Sequence, residues 1–232
     1  MDLKKNSKNN LDTNLKETIK IFEDHHIDYW ICHGTLLGII RDDELIPWDH
    51  DIDIAVWDNQ EIKNKIKNLM LSNFFNLKDK FLIKDDLLTF TKEGGREIDI
   101  NFYKFKGEGA NKIAYIEWFV PKNNFLKLID ALSKAKSYNG KYKKIINKLY
   151  LFEDFFKILK MFLIRKNFFF KSMGYTQPFD YLNNFKKISF KGLNLIIPLK
   201  SEDYLTCVYG KNWKQPKKNF NWTKDSPSTR EN

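Results

Sequence analysis

Residues 49–57 read Asp-His-Asp-Ile-Asp-Ile-Ala-Val-Trp, and this stretch decides the fold. Side chains alternate faces along a β-strand, so Asp51 and Asp53 point one way while Ile52 and Ile54 point into a core. Two carboxylates side by side repel unless a proton or a cation separates them. A hard divalent cation resolves the repulsion, because Mg²⁺ prefers oxygen ligands and keeps positions open for phosphate. A lone Asp-x-Asp is common in solvated turns. Here it opens an otherwise apolar strand, where solvation explains it poorly.

Outward from this strand, REIDINFYKF (96–105) repeats the pattern. Glu97 and Asp99 share one face, and Ile98 and Ile100 take the other. If this strand lies beside residues 51–57, Asp99 completes a three-carboxylate site. It could both bind metal and draw a proton from an attacking hydroxyl. LLTFTK (87–92) precedes it across Glu93-Gly94-Gly95, a hairpin signal in which glycine supplies positive φ. Upstream, IDYWICH (27–33) reads as a buried strand ended by Gly34, with TLLGIIR as a short helix. His33-Gly34-Thr35 at that junction suits a phosphate, which glycine lets approach the backbone and a helix start attracts. Arg41 could grip a phosphate bidentately. Trp48 suits base stacking or packing equally.

The remaining elements follow from periodicity and capping. A helix is predicted from about Asp12 to Glu23, with His25 and His26 at its C-terminal end. Asp58 or Asn59 should cap a second helix running to about Met70. IAYIEWFV (113–120) reads as a strand and FLKLIDALSKA as a helix. Residues 141–187 read as one or two helices. ISFKGLNLIIP (188–198) reads as a hairpin turning at Lys191-Gly192, and Ser201 should cap a last helix ending before Gly210. Tyr204, Tyr209 and Trp213 are expected to pack. Residues 1–11 are polar and expected to fray.

The composition bounds the functional classes. The chain has 232 residues, 42% of them hydrophobic and 16% aromatic, enough for a packed core. Forty basic against 30 acidic residues give a net charge of +10, which favours anionic partners. Cys32 and Cys207 are the only cysteines, which excludes a disulfide framework or a CxxC metal pair and fits a reducing compartment. Both are expected as buried free thiols. No apolar run approaches the ~20 residues needed to span a bilayer, and the N-terminus lacks a signal-peptide core. The expected location is cytoplasmic, or peripheral at the inner face of the plasma membrane. LFEDFFKILKMFLIRKNFFFKSMGY (151–175) suits either a peripheral amphipathic helix at an anionic membrane or an ordinary helix covering the sheet.

HGTLLGIIRDDELIPWDHDIDI (33–54) resembles the signature of the LicD/fukutin family within the nucleotidyltransferase superfamily. IPLKSEDYLTCVYGKNWKQP (197–216) is similar to that family's C-terminal pattern. The resemblance implies an α+β fold: a nucleotidyltransferase-like mixed β-sheet flanked by helices, with a helical aromatic and basic segment in the C-terminal half. Residues 1–136 would form the catalytic core, and residues 137–232 a helical flank, small hairpin and C-terminal helix completing the same domain. It implies a Mg²⁺-dependent phosphotransferase, with Mn²⁺ an alternative metal. Such an enzyme moves phosphocholine, ribitol phosphate or a similar group from a CDP-linked donor to a glycan or lipid-linked glycan, such as lipopolysaccharide, capsule or teichoic acid.

By position, Asp51 and Asp53 match the metal pair, and Asp99 corresponds to the third carboxylate. His33, Gly34, Thr35, Arg41 and Trp48 fall at the donor and phosphate, with Asp49, His50 and Glu97 in support. His50 departs from the family's middle aspartate and is expected to face away from the pair. His33 departs from a small residue. Two other functions remain open: transfer of NMP itself to a small molecule or RNA, and a non-catalytic basic module binding a polyanion. Concentrated acids at Asp49, Asp51 and Asp53 make nucleic acid a poor partner.

Overall fold

The computed structural model describes residues 11–78 and 86–231; of the start expected to fray, residues 1–11, all but Leu11 lie outside them. In chain order the elements begin with α1 (Thr13–Asp24), β1 (Trp30–Ile31), α2 (His33–Asp42), β2 (Asp51–Trp57) and α3 (Gln60–Ser72). Next come β3 (Asn76–Leu77), β4 (Leu87–Thr91), β5 (Glu97–Lys106) and β6 (Ile113–Pro121). The helices α4 (Asn124–Leu132), α5 (Lys143–Ile146) and α6 (Glu153–Arg165) follow. The chain closes with β7 (Phe170–Pro178), β8 (Phe185–Phe190), β9 (Leu193–Pro198), α7 (Ser201–Tyr209), α8 (Trp222–Asp225) and β10 (Thr229–Glu231). The class is α+β: a mixed sheet in the order β1-β2-β5-β6-β7-β10, with β4 beside β5 and β3 beside β4, plus the separate β8-β9 hairpin.

The polypeptide forms two compact units. The first takes residues up to Glu117 and from Gly174 to Arg230; the second is Trp118–Met173 with the extreme C-terminus. The division thus falls at 117/118 and 173/174, whereas the sequence changes character near Ser137.

In the first unit β2 and β5 run parallel, with Asp51 opposite Glu97 and Asp53 opposite Asp99. Ile52, Ile54, Ile98, Ile100 and Phe102 are fully buried, each contributing on the order of 1.5–3 kcal/mol by leaving water. These residues fix the register, since a one-residue slip would carry the aspartates inward. Asp12 caps α1 by accepting from the Asn14 and Leu15 N–H groups, and its second oxygen accepts from the Arg96 N–H at 3.1 Å. The Asn14 amide donates to the Lys92 and Arg96 carbonyls. Helix α1 is thereby tied to the β4–β5 turn. Gly94 supplies the positive φ (99°) there. Gly95 is needed for space, because a Cβ would lie 2.6 Å from the Asn14 side chain.

Asn59 caps α3. Lys191 (φ 49°) and Gly192 (φ 81°) turn the β8–β9 hairpin, both left-handed as a tight two-residue hairpin requires.

The structure corrects four readings. The predicted strand over 27–33 shrinks to Trp30–Ile31, and α2 already includes His33, so Gly34 lies in the first helical turn instead of ending a strand. Residues 151–175 are not one helix: α6 stops at Arg165, Asn167 turns left-handed (φ 57°), and Phe170–Pro178 becomes a sheet strand. Its sheet partners are distant in sequence, so local periodicity could not reveal them. Ser201 does not cap α7: Lys200 stands at the N-cap position without a side-chain capping bond, and the Ser201 hydroxyl donates to the Pro198 carbonyl. Cys32 is buried, but Cys207 is only half-buried.

The second unit has its own small core. Leu126, Ile129 and Phe169 form one buried cluster, and Ala131, Leu132, Ala135 and Ile146 form another, with Phe156 packed against both. Lys160 on α6 pairs with Asp130 on α4 at 2.6 Å, a half-buried contact that joins the two helices.

Candidate active site

The candidate centre sits where β2 and β5 run side by side. Asp51, Asp53 and Asp99 each offer one carboxylate oxygen, and these three atoms lie within 4.8 Å of one another. Strand alternation aims the first two, and the parallel register brings Asp99 alongside Asp53. Three hard oxygen donors this close suit Mg²⁺ or Mn²⁺ and suit a soft metal poorly.

The electrostatics show a site under charge stress. Burial, then the Asp51, Asp99 and Asp49 carboxylates, hold the Asp53 carboxyl well above the usual carboxylate range, while the Gly34 N–H pulls it back. Burial, a hydrogen bond with Asp51 and that group's charge push Asp49 up to about 7. A hydrogen bond between two carboxyls needs a proton on one of them. The donor set and its mutual repulsion therefore both fit a bound divalent cation.

The start of α2 is built around Asp53. The Gly34 N–H donates to Asp53 Oδ2 at 3.0 Å. The Asp53 N–H donates to Thr35 Oγ1 at 2.8 Å, and the Cys32 N–H donates to the Asp53 carbonyl at 3.2 Å. One aspartate is thus held by side chain, amide and carbonyl against a helix N-terminus, where negative charge is stabilised. Gly34 and Thr35, expected at a phosphate, both contact Asp53, Gly34 through its N–H and Thr35 through its hydroxyl oxygen. Glycine is required here by a close approach, since a Cβ on Gly34 would lie 2.5 Å from Asp49 Oδ2 and 3.4 Å from Asp53 Oδ2.

His33, expected at the donor, is buried in a hydroxyl cluster. Its Nδ1 lies 3.1 Å from the Tyr204 hydroxyl and its Nε2 3.2 Å from that of Tyr103. The two tyrosine hydroxyls are 3.3 Å apart. Burial lowers the His33 pKa from 6.5 to about 3. An unfolded chain protonates this histidine below pH 6.5 while the native one resists, so its share of stability is present above pH 6.5 and fades as pH falls towards 3. Urea melts at pH 7 and pH 5 should show a loss of about 2 kcal/mol from this group. His33→Gln should be less stable at pH 7 yet lack that part of the slope; an unchanged slope would refute the assignment.

The other expected residues scatter. The Arg41 guanidinium pairs with the adjacent Asp42 carboxylate at 2.7 Å. Glu97 faces Lys78 at 2.8 Å and stands apart from the cluster, although its backbone is opposite Asp51. His50 is exposed, and its carbonyl accepts from the Glu97 N–H at 3.1 Å. Trp48 is partly exposed. Two tyrosines enter that sequence reading did not place here. Burial and then the Asp53 charge raise the pKa of Tyr175, and the fields of Tyr175, Asp53 and Asp49 add to burial in raising that of Tyr209. Phe220 lies against Tyr209 (4.9 Å between ring centroids) and Trp222 edge-on to Tyr175 (5.9 Å). Tyr175 lay in the segment read as helix, so no sequence signal pointed to it.

Comparison with known proteins bears on this arrangement. The family described as LicD/FKTN/FKRP, nucleotidyltransferase domain, matches residues 26–145, just over half of the chain. The ribitol-5-phosphate transferase FKTN of Mus musculus is 22% identical over 218 residues, 94% of this chain and 36% of that protein. Its Homo sapiens counterpart is 22% identical over 206 residues, 89% of this chain and 33% of that protein. The chain spans about a third of the length of these relatives. A solved structure, the lincomycin-bound lincosamide antibiotic adenylyltransferase LnuA, superposes with a TM-score of 0.43 and 13% identity over 85% of this chain and 86% of that one.

Proposed function

We propose, since the chain belongs to the LicD/FKTN/FKRP nucleotidyltransferase-domain family, that it moves a phosphate-linked head group from a CDP-activated donor to a sugar hydroxyl. The head group is ribitol phosphate, phosphocholine or a similar polyol or amino-alcohol phosphate. The acceptor is a cell-surface glycan or its lipid-linked precursor. The observation that carries the reading is the convergence of Asp51, Asp53 and Asp99 from adjacent parallel strands. Two free cysteines fit a reducing, cytoplasmic setting.

Asp51 and Asp53 would hold Mg²⁺, or Mn²⁺ in its place, with Asp99 as third ligand. When bound, the cation supplies neutralisation of the donor phosphate charge. The protein's own groups do the remainder. The α2 turn fixes Asp53 through Gly34, Thr35 and Cys32, so the site is rigid before substrate arrives. Asp99 orients the acceptor hydroxyl and takes its proton as the sugar oxygen bonds to phosphorus. The bond from that phosphorus to CMP breaks, and CMP leaves.

Incubation with CDP-ribitol, CDP-choline and CDP-glycerol should release CMP from at least one, in the presence of Mg²⁺ and not of EDTA. Release of pyrophosphate from CTP, with the nucleotide joined to an acceptor, would instead establish NMP transfer. No product from any donor or from CTP would overturn both.

A further inference from the structure

We propose that the second unit, Trp118–Met173, is a docking face for an anionic lipid surface, seated through the outward apolar stripe of α6. The first ground is charge. Between Trp118 and Met173 stand 13 Lys and Arg against 3 Asp and Glu, so this quarter of the chain carries the entire net charge of +10. The remaining residues balance, 27 basic against 27 acidic.

The second ground is that α6 is apolar on two sides. Its inner side packs Phe156, Leu159 and Leu163 on the core clusters and also holds Lys160 and Glu153, only 4% and 8% exposed, while Phe155, Ile158 and Phe162 on its outer side are 62%, 69% and 56% exposed. Spacing of three and four residues puts these on one stripe, which Leu151 (74% exposed) extends by a turn. The inner polar groups are matched. Lys160 pairs with Asp130 at 2.6 Å and lies over the Phe169 ring, and Glu153 accepts from the Lys136 N–H at 3.0 Å. Rolling the helix to hide Phe155, Ile158 and Phe162 would expose Phe156, Leu159 and Leu163 and break the Lys160–Asp130 and Lys136–Glu153 contacts, so the apolar stripe is held outward. Lys157, Arg165 and Lys166 are exposed on the same helix and its C-cap.

The occupant follows from those two properties together. A second copy docked on this face would bring two like-charged surfaces together. A nucleic acid would satisfy the lysines and leave Phe155, Ile158 and Phe162 in water. Anionic headgroups over acyl chains satisfy both, with the helix lying in the interface plane. Thirteen residues of helix reach about 20 Å, short of the ~30 Å hydrocarbon core. Among the described residues no helix is long and apolar enough to cross a membrane.

The test is flotation of the full chain with vesicles of phosphatidylcholine containing a minority of phosphatidylglycerol, beside pure phosphatidylcholine. Binding should be about 10-fold stronger to the anionic vesicles and weaken in high salt. The triple variant F155S/I158S/F162S should float about 10-fold less, with an unchanged melting temperature because all three side chains are exposed. K157E/R165E/K166E should lose the preference for anionic vesicles. A wild-type protein that stays at the bottom with anionic vesicles overturns the proposal, as does a triple variant that floats like the wild type. A wild-type dimer dispersed by the triple variant, with no vesicle binding, would show that a second copy covers the stripe and would equally overturn it. None of these readouts depends on catalysis, so they stand apart from the transferase assay.

Discussion

Asp53→Asn is expected to abolish CMP release, by about 1000-fold or more, while the protein stays folded. The asparagine oxygen can still accept from the Gly34 N–H, and the backbone bonds to Thr35 and Cys32 do not involve the side chain. What disappears is the innermost negative charge of the cluster. Stability should move the opposite way in EDTA. Asp53 is crowded by Asp51, Asp99 and Asp49, so a neutral side chain relieves repulsion and should raise the melting temperature by roughly 2–4 °C, equivalent to about 1 kcal/mol. Excess Mg²⁺ should stabilise the wild type, by about 2.7 kcal/mol at a hundred times its dissociation constant, and leave the variant nearly unmoved. Melting curves with EDTA and with Mg²⁺, beside the CMP assay, check all three. Near-normal turnover in the variant would remove Asp53 from the chemistry, and equal stabilisation of both proteins would move the cation elsewhere.

Gly174→Ala is expected to have the largest effect on folding. A Cβ at this position in β7 would overlap the Ile116 carbonyl oxygen and lie 2.8 Å from the carbonyl carbon. Both are backbone atoms of β6 and cannot swing aside as a flexible side chain would. The two strands would have to part where they pair in the sheet, at a cost of about 4 kcal/mol or more. Loss of soluble protein, or a urea midpoint shifted by that amount, would register it. Gly192→Ala provides the contrast. Its φ is +81° but nothing lies within 4 Å of its Cβ, so the penalty is conformational and should be about 1 kcal/mol. Equal effects at both sites would refute the packing argument.

The two glycines also show where sequence reading succeeds and where it stops. Lys191-Gly192 announced its hairpin because the signal is local: two left-handed residues between apolar runs. Gly174 announced nothing, since its constraint comes from Ile116, far away in the chain. The same split runs through the candidate site. Alternation alone put Asp51 and Asp53 on one face, and Glu97 and Asp99 on one face. It could not say that Glu97 would turn to Lys78 while Asp99 joined the pair. Gly34 and Thr35 carried a phosphate-binding pattern, and spacing did not show that both would also contact Asp53 of the neighbouring strand. His33 gave no sign of its burial, because Tyr103 and Tyr204 reach it from elements 70 and 171 residues further along.

Helix α6 gives the same lesson in its plainest form. Residues 151–165 spell an amphipathic pattern, and periodicity identifies a stripe without saying which way it faces. The packing of Phe156, Leu159 and Leu163 on the core, with the Lys160–Asp130 pair, turns the stripe outward.

The sequence by itself therefore determined what depends on near neighbours: the strand faces, the cap at the start of α3 and the two hairpin turns. Tertiary structure alone decided the convergence of three carboxylates, the burial of His33, the strand at 170–178 and the outward stripe of α6. Each of these is set by atoms that meet only after the chain has folded, and the free energy of such contacts leaves no trace in local spacing.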